Sequence, residues 1–310
     1  MLVDYRIEPC RSALNRVQGM PFEWSLNPYM GCAHRCTFCY VRAFERRADR
    51  PSDDRYGRSI RVKTNVAEVL ERELSRRTTP LPRVVIGAAT DPYQPCEGRF
   101  RLTRACLEVF AKHAQSIGII TRGPLIQRDI DVLRELARYA SVSISVSIPT
   151  LDDALWRATE PGTSPPEARL RAVRALADAG LEVAVALAPL IPGLSDSVPS
   201  MTNVVRAARE AGASKLWTGM LYLKPGPKEH FLTTLGEVWP EERTRLERLY
   251  AGRAYLAREE TSAPQETLRV LREVYPRRAS APEPMRALAR PAPPQAEPPV
   301  LAMQLGLAFA

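Results

Sequence analysis

Apolar positions along the chain switch repeatedly between a strand-like and a helix-like period. An apolar stretch at 22–26 predicts the first strand. Asn65 is placed to cap a helix, with Glu68 completing a capping box and Val66, Val69, Leu70 and Leu74 forming one apolar face. Residues 83–87 read as a buried strand. Thr103 opens a helix that turns Cys106, Leu107, Phe110 and Ala114 inward. Further strands are expected at 117–121, 142–148, 181–190 and 215–222. Between them, Asp129 caps a helix carrying Ile130, Leu133 and Leu136. Ser164, Pro165 and Glu167 open the next helix as cap, first helical residue and capping-box partner, and Gly180 ends it. A helix at 199–211 stops at Gly212.

Strand, helix and strand at intervals of roughly 30 residues imply right-handed crossover units and a parallel sheet. About six strands fall short of the eight in a closed barrel. The expected fold is therefore α/β, a partial (βα)6 TIM-like barrel. The expected division is a polar lead-in at 1–20, a core domain at 21–239, and C-terminal helices within 240–275. The helices are expected at 240–259 and 266–275, closing the barrel's open side. A disordered tail rich in proline and alanine follows at 276–310 and ends apolar.

Composition narrows the class. The start of the chain is too polar for a signal peptide, and no apolar run reaches membrane-spanning length. A cytoplasmic protein with no membrane contact is expected. The formal net charge is +9, and eight basic residues against four acidic ones lie within 42–63. Such a segment, which includes Arg46, Arg47 and Arg50, would attract a polyanion such as nucleic acid; the plainer alternative is a solvated loop. Of six cysteines, Cys10, Cys96 and Cys106 are scattered, which excludes a disulfide framework.

The other three stand together. Residues 27–40 carry Cys32, Cys36 and Cys39 at spacing C-x3-C-x2-C, with Phe38 before the last and Tyr40 after it. Three thiolates this close can surround one soft metal centre. Mononuclear zinc would need a fourth ligand, for which His34 is the local candidate. A [4Fe-4S] cluster held by three cysteines would leave one iron open to a second molecule.

This loop resembles the cluster-binding loop of the radical S-adenosylmethionine superfamily. The resemblance implies that Cys32, Cys36 and Cys39 hold the cluster and that S-adenosylmethionine binds its open iron, with Phe38 and Tyr40 beside the cofactor. The segments Thr90-Asp91-Pro92-Tyr93, Thr121-Arg122, Glu160-Pro161-Gly162 and Ile191-Pro192-Gly193 narrow the likeness. They are similar to the group named after spore photoproduct lyase, a DNA repair enzyme, over about residues 20–230. By that resemblance Thr90 and Asp91 would meet the cofactor's amino group, and Arg122 its carboxylate. Ser145 and Ser147 would meet its ribose or methionine, and Ile191 and Gly193 its adenine. Glu160 is a helix-approach acid or a cofactor contact. The lyase returns a hydrogen atom from a cysteine near the end of the second strand. Ala88 and Ala89 occupy that place here, and the nearest thiol, Cys96, is the candidate hydrogen donor or else an inert thiol.

The function implied is formation of a 5′-deoxyadenosyl radical that abstracts a hydrogen atom, with damaged DNA as substrate. The alternatives are RNA or protein modification by the same chemistry, or a non-catalytic iron–sulfur or zinc protein that binds nucleic acid. The expected electron donor is of flavodoxin or ferredoxin type. Gln304, Leu307 and Phe309 near the C-terminus resemble a short peptide that docks on a sliding clamp. The plainer reading has this end fold back on the protein.

Overall fold

The computed structural model describes residues 3–47 and 50–277, the side chains of residues 46 and 47 excepted. Among the described residues ten strands run in order: β1 (Asp4–Ile7), β2 (Leu14–Arg16), β3 (Trp24–Leu26), β4 (Tyr29–Met30), β5 (Ser59–Val62), β6 (Val84–Ile86), β7 (Ile117–Thr121), β8 (Val142–Ser147), β9 (Glu182–Leu190) and β10 (Lys215–Met220). The main sheet has the order β2-β3-β6-β7-β8-β9-β10. Its last six strands are parallel, and β2 pairs antiparallel to β3 at the edge. The expected partial barrel of six strand–helix units is thus the observed fold.

The helices are α1 (Arg42–Arg47), α2 (Val66–Ser75), α3 (Glu97–Phe100), α4 (Leu102–Lys112), α5 (Ile130–Ala137), α6 (Asp153–Thr159), α7 (Pro166–Asp178), α8 (Val198–Glu210), α9 (Pro227–Gly236), α10 (Pro240–Leu249) and α11 (Arg258–Val274). The strand β8 shows why sheet and helices meet. Val142, Ile144 and Val146 point to one side, into a core shared with Leu107 of α4, Leu136 of α5 and Leu176 of α7. Ser143, Ser145 and Ser147 take the other side, as the two-residue period requires. Across the sheet, Ser147 lies beside Ala186, and Ala186 beside Trp217. This concave face therefore carries small residues and stays open.

Several local expectations need correction. The lead-in at 1–20 holds two strands, β1 and β2. Each is three or four residues long and largely exposed, so no apolar alternation announces it. Pairing with β5 and β3 makes it a strand. Asn65 precedes α2 without capping it, because its side chain bonds the backbone N–H and carbonyl of Cys10 at 2.8 and 3.0 Å. Asp129 makes no cap bond, since Arg128 and Arg104 hold its carboxylate. Helix α7 begins at Pro166 with Pro165 as its cap, one residue later than expected, and Ser164 lies outside. Thr103 lies inside α4 and donates its hydroxyl to the Pro92 carbonyl at 2.6 Å; Ala114 lies past the helix end. The single helix expected at 240–259 is broken after α10 by a turn in which Gly252 has a positive φ of 67°. The final helix then begins at Arg258 and runs through Pro264. Helices α6 and α9 had no sequence expectation.

The C-terminal helices divide their work. Phe231, Leu232, Leu235, Leu246 and Tyr250, from α9 and α10 and the residue after them, form a second core with Cys36, Phe38, Leu155 and Ile191. Helix α11 packs instead on α8 and β10. Among the described residues no helix is long and apolar enough to cross a membrane. Residues 278–310 lie outside the described residues, and with them the expected tail and Gln304, Leu307 and Phe309.

Candidate active site

The cysteine loop leaves β4 and leads into α1, and it is clamped from three sides. Arg42 is 1% exposed. Its guanidinium donates to the carbonyls of Cys36 (3.2 Å), Arg35 (3.0 Å), Ser52 (2.9 Å) and Asp53 (2.6 Å). It also lies 4.6 Å from the centre of the Tyr56 ring. Buried carbonyls need such donors. From the second strand's loop, Gln94 donates to the Gly31 carbonyl at 3.2 Å and accepts from the Ala33 N–H at 3.0 Å. From the far side, the Thr159 carbonyl accepts from the Thr37 N–H at 2.9 Å, and Gly162 donates to the His34 carbonyl at 3.0 Å. A Cβ on Gly162 would stand 2.2 Å from the Ala33 carbonyl oxygen, so this approach admits only glycine.

Cys32, Cys36 and Cys39 all line one cavity of about 600 Å³. Phe38, Tyr40, Thr90, Asp91, Arg122 and Ser147 line the same cavity, so the second, third and fourth strands of the barrel deliver their ends to the cysteines. Burial holds the Cys32 thiol well above its usual range, with Asp91 adding to the effect. Burial also pushes Cys36 up to about 12, against the pull of Arg122. The Tyr40 hydroxyl donates to the Ala88 carbonyl.

Two charged groups organise the strand ends. Asp91 accepts from Thr121 Oγ1 at 2.6 Å, from the Arg122 N–H at 2.6 Å and from the Tyr93 N–H at 2.8 Å. Burial raises its pKa, but His34 and these donors outweigh burial and bring it to about 2. The His34 Nδ1 stands 3.2 Å from Asp91 Oδ2, at ion-pair distance and out of line for a hydrogen bond. The second group is an arginine pair around one acid. Arg122 and Arg169 both bind Glu160, the latter through Nη1 at 2.9 Å. Glu160 is 1% exposed and Arg169 is fully buried. Burial raises the Glu160 pKa, but Arg169 and then Arg122 outweigh it and leave the carboxyl below its usual range. Two guanidiniums share one carboxylate there, and the ionised Asp91 also acts on Arg122. Arg122 also lies 5.6 Å from the centre of the Phe38 ring.

Cys96, Ile191, Gly193 and Ser145 do not line the cavity. Cys96 is 3% exposed in the main core, and burial, reinforced by Glu97, pushes its thiol up to about 12. It is a core thiol at the cap of α3, away from the place of a hydrogen donor. Ile191 is packed in the second core, beneath the cysteine loop. Gly193 faces Arg245. The Ser145 hydroxyl accepts from Trp217 Nε1 at 2.9 Å, so Ser145 acts through that indole. Thr90 commits its hydroxyl to the Gly31 carbonyl at 2.6 Å and braces the loop. Reading the sequence missed Arg42, Gln94, Tyr56 and Trp217. Only Arg42 carried a local signal, a charge directly after the cysteines.

The described basic side chains at 42–63 are engaged by other groups of the protein. Arg42 is buried in its carbonyl cage. Arg50 and Arg61 reach Glu45, Arg55 reaches Asp53, and Arg58 reaches Asp54. Lys63 donates to the Asn27 carbonyl at 2.9 Å. The side chains of Arg46 and Arg47 lie outside the described residues. Cations still outnumber acids in the segment, and each of the described ones is held by the protein's own groups.

The donor set suits a cluster. Three soft thiols share one wall of a cavity large enough to take a second, organic molecule beside them. A fixed anion at Asp91 and a fixed cation at Arg122 line the same space, as a zwitterionic ligand would need. Comparisons with known proteins agree. The chain is 35% identical over 250 residues to an uncharacterized protein of Mycobacterium tuberculosis, covering 80% of this chain and 74% of that one. It is 28% identical over 231 residues to a protein of Acidianus two-tailed virus, covering 69% and 72%. A structure of spore photoproduct lyase with bound AdoMet and dinucleoside spore photoproduct shares the fold, with TM-score 0.64, 18% identity, and coverage of 87% of this chain and 79% of that one. The Radical SAM superfamily model matches residues 26–202, the stretch from β3 through the cysteine loop to the start of α8. With that match spanning every element that builds the cavity's charged wall, the chain belongs to the Radical SAM superfamily, whose members use a [4Fe-4S] cluster and S-adenosylmethionine.

Proposed function

We propose that this radical S-adenosylmethionine enzyme acts on a nucleic-acid substrate, with damaged DNA as the leading class. The observation that carries the reading is the shared cavity: Cys32, Cys36 and Cys39 open on the same space as Asp91, Arg122 and Ser147. The three cysteines would hold the cluster, which family membership favours over zinc. When bound, cluster and S-adenosylmethionine supply a 5′-deoxyadenosyl radical that takes a hydrogen atom from the substrate.

The protein's own part is to bind, orient and exclude water. Asp91, kept ionised by His34 and its three donors, offers a fixed acceptor to the cofactor's ammonium. Arg122, held by Glu160 and the Ala188 carbonyl, offers the carboxylate a fixed cation. Both groups are oriented before the ligand arrives, so little reorganisation is required. Phe38, buried against α9 and α10, keeps one wall apolar. The electron comes from a donor protein, for which a flavodoxin or ferredoxin type is proposed. The six free cysteines suit a reducing, cytoplasmic setting. Docking on a sliding clamp through Gln304, Leu307 and Phe309 rests on residue order alone, and binding of a peptide spanning 301–310 to purified clamp tests it.

The nucleic-acid reading is supported by the lyase fold, whose solved complex holds a dinucleoside lesion. RNA or protein modification by the same chemistry is the alternative. The test is release of 5′-deoxyadenosine by the reduced, anoxic protein. Irradiated DNA should stimulate release over unirradiated DNA. Stimulation only by RNA or by a protein fraction would move the substrate to the alternative class. No release with an intact cluster under any of these conditions would remove the enzymatic reading.

A further inference from the structure

We infer that Trp217, Tyr222 and Tyr255 form a stacking surface for the bases of a single nucleic-acid strand at the mouth of the cavity. The inference rests on the nucleic-acid reading above, and it supplies a binding surface at the cavity itself.

Trp217 and Tyr222 both line the cavity. Trp217, on the edge strand β10, is 40% exposed. Its one polar atom is already satisfied, because Nε1 donates to Ser145 Oγ at 2.9 Å. That bond fixes the ring, and what the ring offers a ligand is its π surface. Among the described residues no aromatic ring pairs with it. Its neighbours across the sheet, Ala186 and then Ser147, are small and leave room beside it.

Tyr222, two residues past β10, continues the surface. Its ring lies 4.3 Å, centre to centre, from Tyr255, tilted by 32°. Tyr255 is 70% exposed. The Lys224 ammonium lies 5.5 Å from the centre of the Tyr222 ring. The occupant follows from this chemistry. Flat rings with satisfied or polar edges favour planar, partly polar groups over aliphatic side chains. Nucleic-acid bases stack on such rings with little regard to sequence, and a nearby lysine meets the phosphate. A base inside a duplex cannot reach these rings, so the strand must be single or the nucleotide extruded.

The test uses the full chain, loaded with its cluster without oxygen, and a fluorescently labelled, short, single-stranded thymine oligonucleotide. Anisotropy gives the Kd, and absorbance gives the cluster content of each variant. Trp217→Ala and Tyr222→Ala should each weaken binding roughly 5- to 150-fold, the range that loss of a base stack implies. Trp217→Phe and Tyr222→Phe should retain most of the affinity. Trp217→Leu, which fills similar space without a ring, should bind as poorly as the alanine variant. Lys224→Ala should lower the salt slope by about one. Binding by the alanine and leucine variants as tight as that of the parent protein would overturn the stacking surface and leave the nucleic-acid reading standing. No binding by the parent protein to single-stranded or irradiated duplex DNA or to RNA would overturn both.

Discussion

Two arginine-rich regions of this protein look alike in charge and behave in opposite ways. The segment at 42–63 is dense in basic residues, yet Arg50, Arg55, Arg58 and Arg61 each meet an acid and Arg42 is caged by carbonyls. Arg122 and Arg169 are far apart in sequence, yet they meet in the interior on Glu160 alone. In the first region most described arginines meet an acid close by in sequence, near the surface. In the second a buried carboxylate joins two arginines from different parts of the chain beside the cavity. Electrostatic influence follows from pairing and burial, and residue density reports neither.

The comparison breaks most sharply at Glu160. Glu160→Gln leaves two buried guanidiniums without a counter-charge, and the expected loss is about 3–5 kcal/mol of stability in urea unfolding. A loss below about 1 kcal/mol would mean that water or another acid already balances the pair. Arg42→Met comes next. It removes donors from four carbonyls of the cysteine loop and is expected to cost about 2–4 kcal/mol, with a lower iron content after reconstitution. Acid titration gives a smaller, graded effect. The folded pKa of Glu160 lies below its ordinary 4.5. Its contribution is therefore present above pH 4.5 and is lost as pH falls through the folded value. The thermal midpoint of the wild type should fall in that range more steeply than that of Glu160→Gln. The smallest effect belongs to the exposed pairs. Arg55→Ala with Arg58→Ala should leave the urea midpoint within error of wild type, and a clear loss would show that the surface network carries weight.

What the sequence made legible follows the same division between local and distant causes. The cysteine spacing is local, and the three thiols line one cavity. The alternation of strands and helices is local too, and the six-stranded parallel sheet follows from it. Strands β1 and β2 were illegible because their partners lie elsewhere in the chain. The capping roles of Asn65 and Asp129 were misread because distant partners, Cys10 and Arg104, compete for the same side chains. Cys96 follows Ala88, Ala89 and Thr90 closely in sequence, but the turn into α3 carries it into the core. Trp217 and Ser145 lie on different strands, and only the sheet's register joins them.

The central claim is that three cysteines, and no others in this chain, hold a cluster open to S-adenosylmethionine. Electron paramagnetic resonance of the reduced, anoxically reconstituted protein tests it most directly, read before and after S-adenosylmethionine is added. The expected result is a [4Fe-4S] signal whose shape changes on addition, is lost in Cys32→Ala, Cys36→Ala and Cys39→Ala, and persists in Cys96→Ala. A signal that survives Cys36→Ala, disappears in Cys96→Ala, or does not respond to S-adenosylmethionine would contradict it.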